Sequence, residues 1–266
     1  MSRYEKLIIF SITFLAVFGF SLLFESDYIF FHTDNSPKET SIATSTDMLM
    51  AEVQPPIADE QTVIEKGEQT HYRCDNILLD IPFTTQAPSA DWKDPRQQDS
   101  CEEASALMAI KWIKGEKLTP AEAEVKLLAI SEWEKREYNN FHDTSAKDTM
   151  ERIIKKYFKY DNVFVKKNIT LDDIKEEICA GAIIVPVDGQ KLKNPYYTAP
   201  GPERHMIIIR GYDKKTEEFI TNDPGTRRGE NYRYGAQHFY DSIRDYPTGD
   251  HMPIKEIKKA MIVIKK

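Results

Sequence analysis

The sequence predicts an α+β domain, its helices first and its antiparallel sheet later, preceded by an N-terminal transmembrane helix and a flexible tether. Three observations predict it. Between residues 100 and 180, helix-start and helix-stop chemistry recurs at helical spacing. Beyond residue 180, short apolar runs bounded by turn residues take over. The segments joining those runs are too short for crossover helices, so neighbouring strands should run antiparallel. At 266 residues with 41% apolar content, the chain can bury a sizeable core. A net charge of −7 without a basic stripe argues against a nucleic-acid partner. With no glycine-rich phosphate loop and no internal repeat, nothing calls for a metal or organic cofactor.

Residues 7–24, LIIFSITFLAVFGFSLLF, carry no charge and are long enough to cross a bilayer. Arg3 and Lys6 precede them, so the following chain should face away from the cytosol. A cleavable signal would have a shorter apolar region and end at small residues, whereas FSLLFESDY follows here. The expectation is an uncleaved anchor over 1–32, or a secreted protein if the segment is cut. Residues 33–75, with NSPKETSIATSTD, read as a tether, and 76–266 as the folded domain.

Within that domain, ILLDIPFTT at 77–85 suits a strand. Ser100 and Glu103 fit a capping box, placing Cys101 in the first turn of a helix that Gly115 should end. Thr119, Pro120 and Glu122 open a second helix running to about Tyr138, and a third covers about 146–157. A short strand near 162–165 precedes a helix begun at Thr170 and closed at Ala180-Gly181. AIIVPV, HMIIIRGYD, EEFITND and AMIVIKK then supply the sheet.

Cys101 is the candidate nucleophile, because a helix N-terminus favours the thiolate that attacks carbonyls. Glu102 and Glu103 oppose this by raising the thiol pKa, so a base is needed. The alternative is a small buried hydrophobe. Cys74 and Cys179 can pair, an idea resting only on parity and compartment, with two isolated thiols as the alternative. Of the six histidines, His32 and His71 fall in the anchor edge and tether, and His142, His238 and His251 lie in polar surroundings. His205 opens an apolar strand after the loop NPYYTAPGPER. Asn222 and Asp223 end the next strand, where either can orient an imidazole or simply make a turn. Gln86, Gln97 and Gln98 are candidates for an oxyanion donor.

IPFTTQ, DSCEEASALMAI, GAIIVPVDGQ, HMIIIRGYD and FITNDPGT, in that order over residues 77–225, resemble the papain-like cysteine peptidases related to bacteriocin-leader-processing (double-glycine) peptidases. The resemblance implies a papain-like fold: a helical part bearing the nucleophile packed on an antiparallel sheet bearing the base. It implies Cys101 as nucleophile, His205 as general base and Asp223 as the acid that orients the ring. Gln86 stands in the family's place for the oxyanion glutamine, although APSADWKDPRQQDS makes a long connection to Cys101, and Gln98 is the nearer rival. Relatives joined to transporters cut after double-glycine leaders; this chain has no nucleotide-binding motif, so that role does not transfer.

The expected function is a membrane-anchored, extracytoplasmic cysteine peptidase that hydrolyses peptide or isopeptide bonds of a peptide or protein substrate, with the membrane contacted through 7–24. A catalytically silent binding module of the same fold and a thiol-dependent acyl or peptidyl transferase are the alternatives. Residues 195–203, PYYTAPGPE, read either as a lid over the cleft or as a plain connection. Arg227, Arg228 and Arg233 can bind a substrate carboxylate or merely solvate a surface, and Trp92, Trp112 and Trp133 read as packing residues.

Overall fold

The computed structural model describes Cys74 and residues 76–266; the expected anchor and nearly all of the tether lie outside the described residues. Among the described residues no helix is long and apolar enough to cross a membrane. The first strand, β1 (Asn76–Leu78), is shorter than the run 77–85 predicts. The chain leaves the sheet because Arg210 takes the Leu79 carbonyl with its guanidinium at 2.9 and 2.6 Å, and Pro82 has no N–H to donate to a ladder.

A one-turn helix that the sequence reading missed, α1 (Pro95–Gln98), is capped by Asp94, whose carboxylate accepts from the Arg96 N–H at 2.9 Å. It abuts α2 (Cys101–Lys114) and alters the expected cap there: Ser100 Oγ donates to the Arg96 carbonyl, and no Ser100–Glu103 box forms. Glu103 instead turns into the core. Gly115 ends α2 in the left-handed region at φ 64°, as expected of a C-cap glycine. Thr119 caps α3 (Pro120–Tyr138), accepting from the Glu122 N–H. Next, α4 (Ala146–Asp148) runs directly into a π-helical stretch, Thr149–Tyr157.

The rest of the chain comprises β2 (Val163–Lys167), α5 (Leu171–Glu177), β3 (Gly181–Val187), α6 (Gly189–Leu192), β4 (His205–Asp213), β5 (Glu218–Asn222), β6 (Tyr232–Gly235), α7 (Ala236–Ser242) and β7 (Ala260–Lys265). A complete capping box at Thr170 and Asp173 starts α5. Seven strands form one antiparallel sheet in the order β2-β7-β3-β4-β5-β6, with β1 pairing the far end of β4. A register shift between Ile209 and Gly211 marks where β4 exchanges β3 for β1 as its neighbour.

The continuous apolar runs of β3, β4 and β7 have a physical reason, since both faces of the sheet are covered. Ile184, Met206, Ile208 and Ile262 pack with Met108, Ala109 and Trp112 of α2 and with Ile153. Ile183, Ile207, Ile209 and Val263 pack on the other face with Ile174 of α5 and Phe239 of α7. The Cys74–Cys179 disulfide is formed, tying the chain just before β1 to the end of α5.

Candidate active site

The nucleophile candidate and the base candidate are brought together by one interface. Ser105, one turn after Cys101 on the same face of α2, donates at 3.1 Å to the carbonyl of Met206, the residue after His205. Both ends of that bond are buried, so the start of α2 is fastened to the start of β4. Cys101 and His205 consequently line a single cleft of about 320 Å3, together with Gln86, Gln98, Asp99 and Asp143.

His205 is 1% exposed and its Nε2 lies 2.8 Å from Asp223 Oδ1. With Nε2–H donated to a carboxylate, Nδ1 is left as the nitrogen able to take a proton. Asp223 sits just past the end of β5; Ile208 faces Asn222 in the register, so the two strands deliver His205 and Asp223 to the same edge. Of the two orienting candidates, Asp223 is the one in contact. Asn222 is used structurally, donating to the carbonyls of Ile81 and Pro82 and accepting from the Asn231 N–H.

Asp223 is saturated with donors. Oδ1 also accepts from the Gly225 N–H at 3.0 Å, and Oδ2 accepts from Tyr197 at 2.5 Å, Tyr234 at 2.8 Å and Asn194 at 3.2 Å. Burial alone would raise its pKa, but His205 and the two phenols outweigh burial and hold the carboxyl below its usual value. Tyr197 comes from the loop 195–203 and ties that loop to the acid. Gly225 leaves room for the ring: a Cβ there would lie 2.9 Å from His205 Cε1.

Cys101 is 6% exposed, unpaired, and its Sγ contacts Glu102 Oε2 at 2.9 Å. Burial, then the Glu102 charge, pushes the thiol pKa well up. Glu102 is itself buried, its Oε1 accepting from Tyr246 at 2.7 Å and from the Thr144 N–H at 3.1 Å. Burial and the neighbouring Asp143 lift this carboxyl to about 7. The backbone N–H of Cys101, in the first turn of α2, belongs to the set of helix-start amides that have no intrahelical acceptor.

Both candidate glutamines reach the cleft. Gln86 is buried and its amide donates to the carbonyls of Gln97 at 3.2 Å and Gln98 at 2.5 Å, which holds it over the start of α2 despite the long connection. Gln98 is exposed, with its amide donating to the Trp92 carbonyl. Gln97 points away, to Ser89.

Sequence reasoning missed the opposite wall. Asp143, between Arg204 at 3.6 Å and His251 at 3.4 Å, faces the cleft, and His142 contacts Asp99 at 2.6 Å. These residues come from loops without a periodic pattern; His142 and His251 stood out only as histidines in polar surroundings, and nothing in the sequence brought Asp143 and Arg204 to the cleft. His238 lies elsewhere, against the Leu192 carbonyl. Arg233 is also away from the cleft, bridging Asp213 and Glu218. Trp112 is buried and Trp133 stacks edge-on with Tyr138 and Tyr157, as packing residues should. Trp92 departs from that expectation at 46% exposed, because the loop before α1 carries it outward.

Among the described residues no cluster of His, Cys, Asp and Glu could hold a metal ion. Comparison with curated proteins found no match. A family model described as the Peptidase_C39 like family matches residues 78–247, a span that includes Gln86, Cys101, His205 and Asp223. On that match, covering well over half of its length, the chain belongs to the Peptidase_C39 like family and is related to the papain-like cysteine peptidases of C39 type.

Proposed function

We propose that the protein is a membrane-anchored, extracytoplasmic cysteine peptidase that hydrolyses peptide or isopeptide bonds, with Cys101, His205 and Asp223 as its catalytic triad. The observation that supports this reading is the shared cleft, lined both by a thiol at a helix start and by an imidazole that a buried carboxylate holds at Nε2. As Sγ attacks the scissile carbonyl, its proton passes to His205 Nδ1 and an S–C bond forms. The oxyanion is met by the Cys101 N–H and by the Gln86 amide once it gives up one of its two bonds to the carbonyls of Gln97 and Gln98, with Gln98 as the rival donor. The C–N bond then breaks, the amine leaving with the proton from His205. Water hydrolyses the thioester with His205 again as base, which releases the acid and restores the thiol.

The disulfide supports an oxidising compartment, and residues 7–24 support an anchor that holds the domain, 76–266, outside the cytosol through the tether. One contact favours the silent module instead: the thiol rests on Glu102, not as an ion pair with His205. A single measurement separates the readings. Cys101→Ala should abolish turnover of a peptide library while leaving the melting curve in place. Unchanged cleavage would remove the triad, and no cleavage by the native chain, with iodoacetamide labelling at the rate of an ordinary thiol, would establish the silent module. Replacing Gln86 or Gln98 by Ala assigns the oxyanion donor, since the true one should cost about 100-fold or more in kcat.

A further inference from the structure

A second groove, of about 610 Å3, adjoins the cleft and shares Gln86, Gln98 and Pro202 with it. Arg227 and Arg228 are the charged residues that line it among the described residues, and both are exposed. Their freedom is unusual among the arginines of the described residues. Arg96, Arg136, Arg152, Arg204, Arg233 and Arg244 sit in ion pairs, and Arg210 is committed to the Leu79 carbonyl and Asn231. Arg227 and Arg228 have no carboxylate at ion-pair distance among the described residues, although acidic residues outnumber basic ones, 43 to 36.

The groove is also built for an ordered guest. The guanidinium of Arg228 lies 4.8 Å from the centre of the Tyr196 ring, a cation–π contact that leaves its N–H groups for a guest. The Arg228 N–H is held by Thr226 Oγ1 at 3.2 Å, which fixes the turn carrying both arginines. Trp92 and Tyr196, 46% and 44% exposed, offer flat apolar surface in the same groove. Unpaired planar cations beside exposed aromatic faces match a carboxylate carried on a peptide, because a guanidinium binds it through paired N–H bonds.

We propose that this groove is a substrate subsite, in which Arg227 and Arg228 select peptides bearing a carboxylate a few residues from the scissile bond while Trp92 and Tyr196 pack the adjoining side chain. The proposal rests on the peptidase reading. It names the substrate as an acidic peptide or one whose free C-terminus reaches the groove, and the two sources are separable.

The test uses the full chain and fluorogenic peptides in which Asp, Asn or Lys is scanned through four positions on each side of the cleaved bond, each made with a free and an amidated C-terminus. Asp should exceed Asn in kcat/KM by about 10-fold at one position, with Lys lower still, and the Asp/Asn ratio should fall to about 1 in R227A/R228A. A preference for the free over the amidated terminus, lost in the same variant, would identify the terminal carboxylate as the guest. Because each ratio is read within one variant, a general loss of folded enzyme cannot mimic the effect. Equal rates for Asp, Asn and Lys with no terminus effect, or a preference that survives in R227A/R228A, would overturn the subsite. If the native chain cuts no peptide, the peptidase reading fails, and fluorescence anisotropy of the same peptides on C101A and C101A/R227A/R228A decides the subsite. Carboxylate-selective binding lost with the arginines upholds it; binding that is absent or indifferent to the carboxylate ends it.

Discussion

The Cys101 thiol donates to Glu102 at 2.9 Å, and this carboxyl, lifted to about 7, sets the ionic state in which the sulfur can become a thiolate. The groups facing Glu102 are Asp143 and Tyr246 from two loops, Glu103 on its own helix and Glu134 on α3. An ionised Glu102 repels a thiolate, whereas a protonated one can donate to it. On this account, kcat/KM should decline as pH rises through about 7, and Glu102→Gln should remove that decline; a superimposable profile for the variant would show that the carboxyl does not govern the sulfur. Asp223→Asn keeps the shape of the acid but removes its charge and changes which nitrogen of His205 carries the proton. Loss of about 100-fold or more in kcat is expected, with little change in KM. Gly225→Ala should also reduce kcat, because the ring it would displace is fixed by Asp223 and cannot swing aside.

At the scale of elements, α2 is fastened to β4 by the Ser105–Met206 bond. Ser105→Ala should cost about 1 kcal/mol of stability and more activity than that figure implies, since it loosens the separation of Cys101 from His205. Thermal melts alongside kcat measurements check both parts. The contact between α2 and α3 holds a second buried acid pair. Glu103 accepts from Ser131 at 3.3 Å, and neither Glu134 oxygen has a hydrogen-bond partner. Burial pushes the Glu134 carboxyl to about 8 and Glu103 well up. Burial thus favours the protonated form of both groups. The stability that goes with the protonated Glu134 is complete below about pH 4.5 and is lost progressively as pH rises through about 8, and the raised Glu103 carboxyl acts in the same direction. Melting temperatures should fall from pH 5 to pH 8.5, and Glu134→Gln should flatten that dependence.

Across the whole molecule, a 105-residue separation is closed by the disulfide. Constraint of so long a loop in the unfolded chain is worth about 3–5 kcal/mol, so reduction, or the Cys74→Ser variant, should lower Tm by about 10 °C without abolishing labelling of Cys101. The sheet, covered on both faces, is the rigid frame in this domain. The candidate catalytic residues sit at the ends of its strands, on the helix start, strand start and turn that the frame positions.

What the sequence determined by itself is local. Gly115 and Thr119 end and begin helices through their own backbone and side-chain preferences. The apolar runs of β3, β4, β5 and β7 form strands where they were expected, and the nucleophile, base and acid candidates were legible because each stands at the start or end of a predicted element. Only the tertiary structure decided which partners those residues meet. The cap at Ser100 was lost to the carbonyl of Arg96, the strand from Ile77 was cut short by Arg210, and Tyr197, Asn194 and Tyr234 converged on Asp223 from a loop before β4 and from β6. Spacing along a chain reports which groups share a helix turn or strand face, whereas contacts between loops depend on where the packed frame brings them, and no periodicity encodes that.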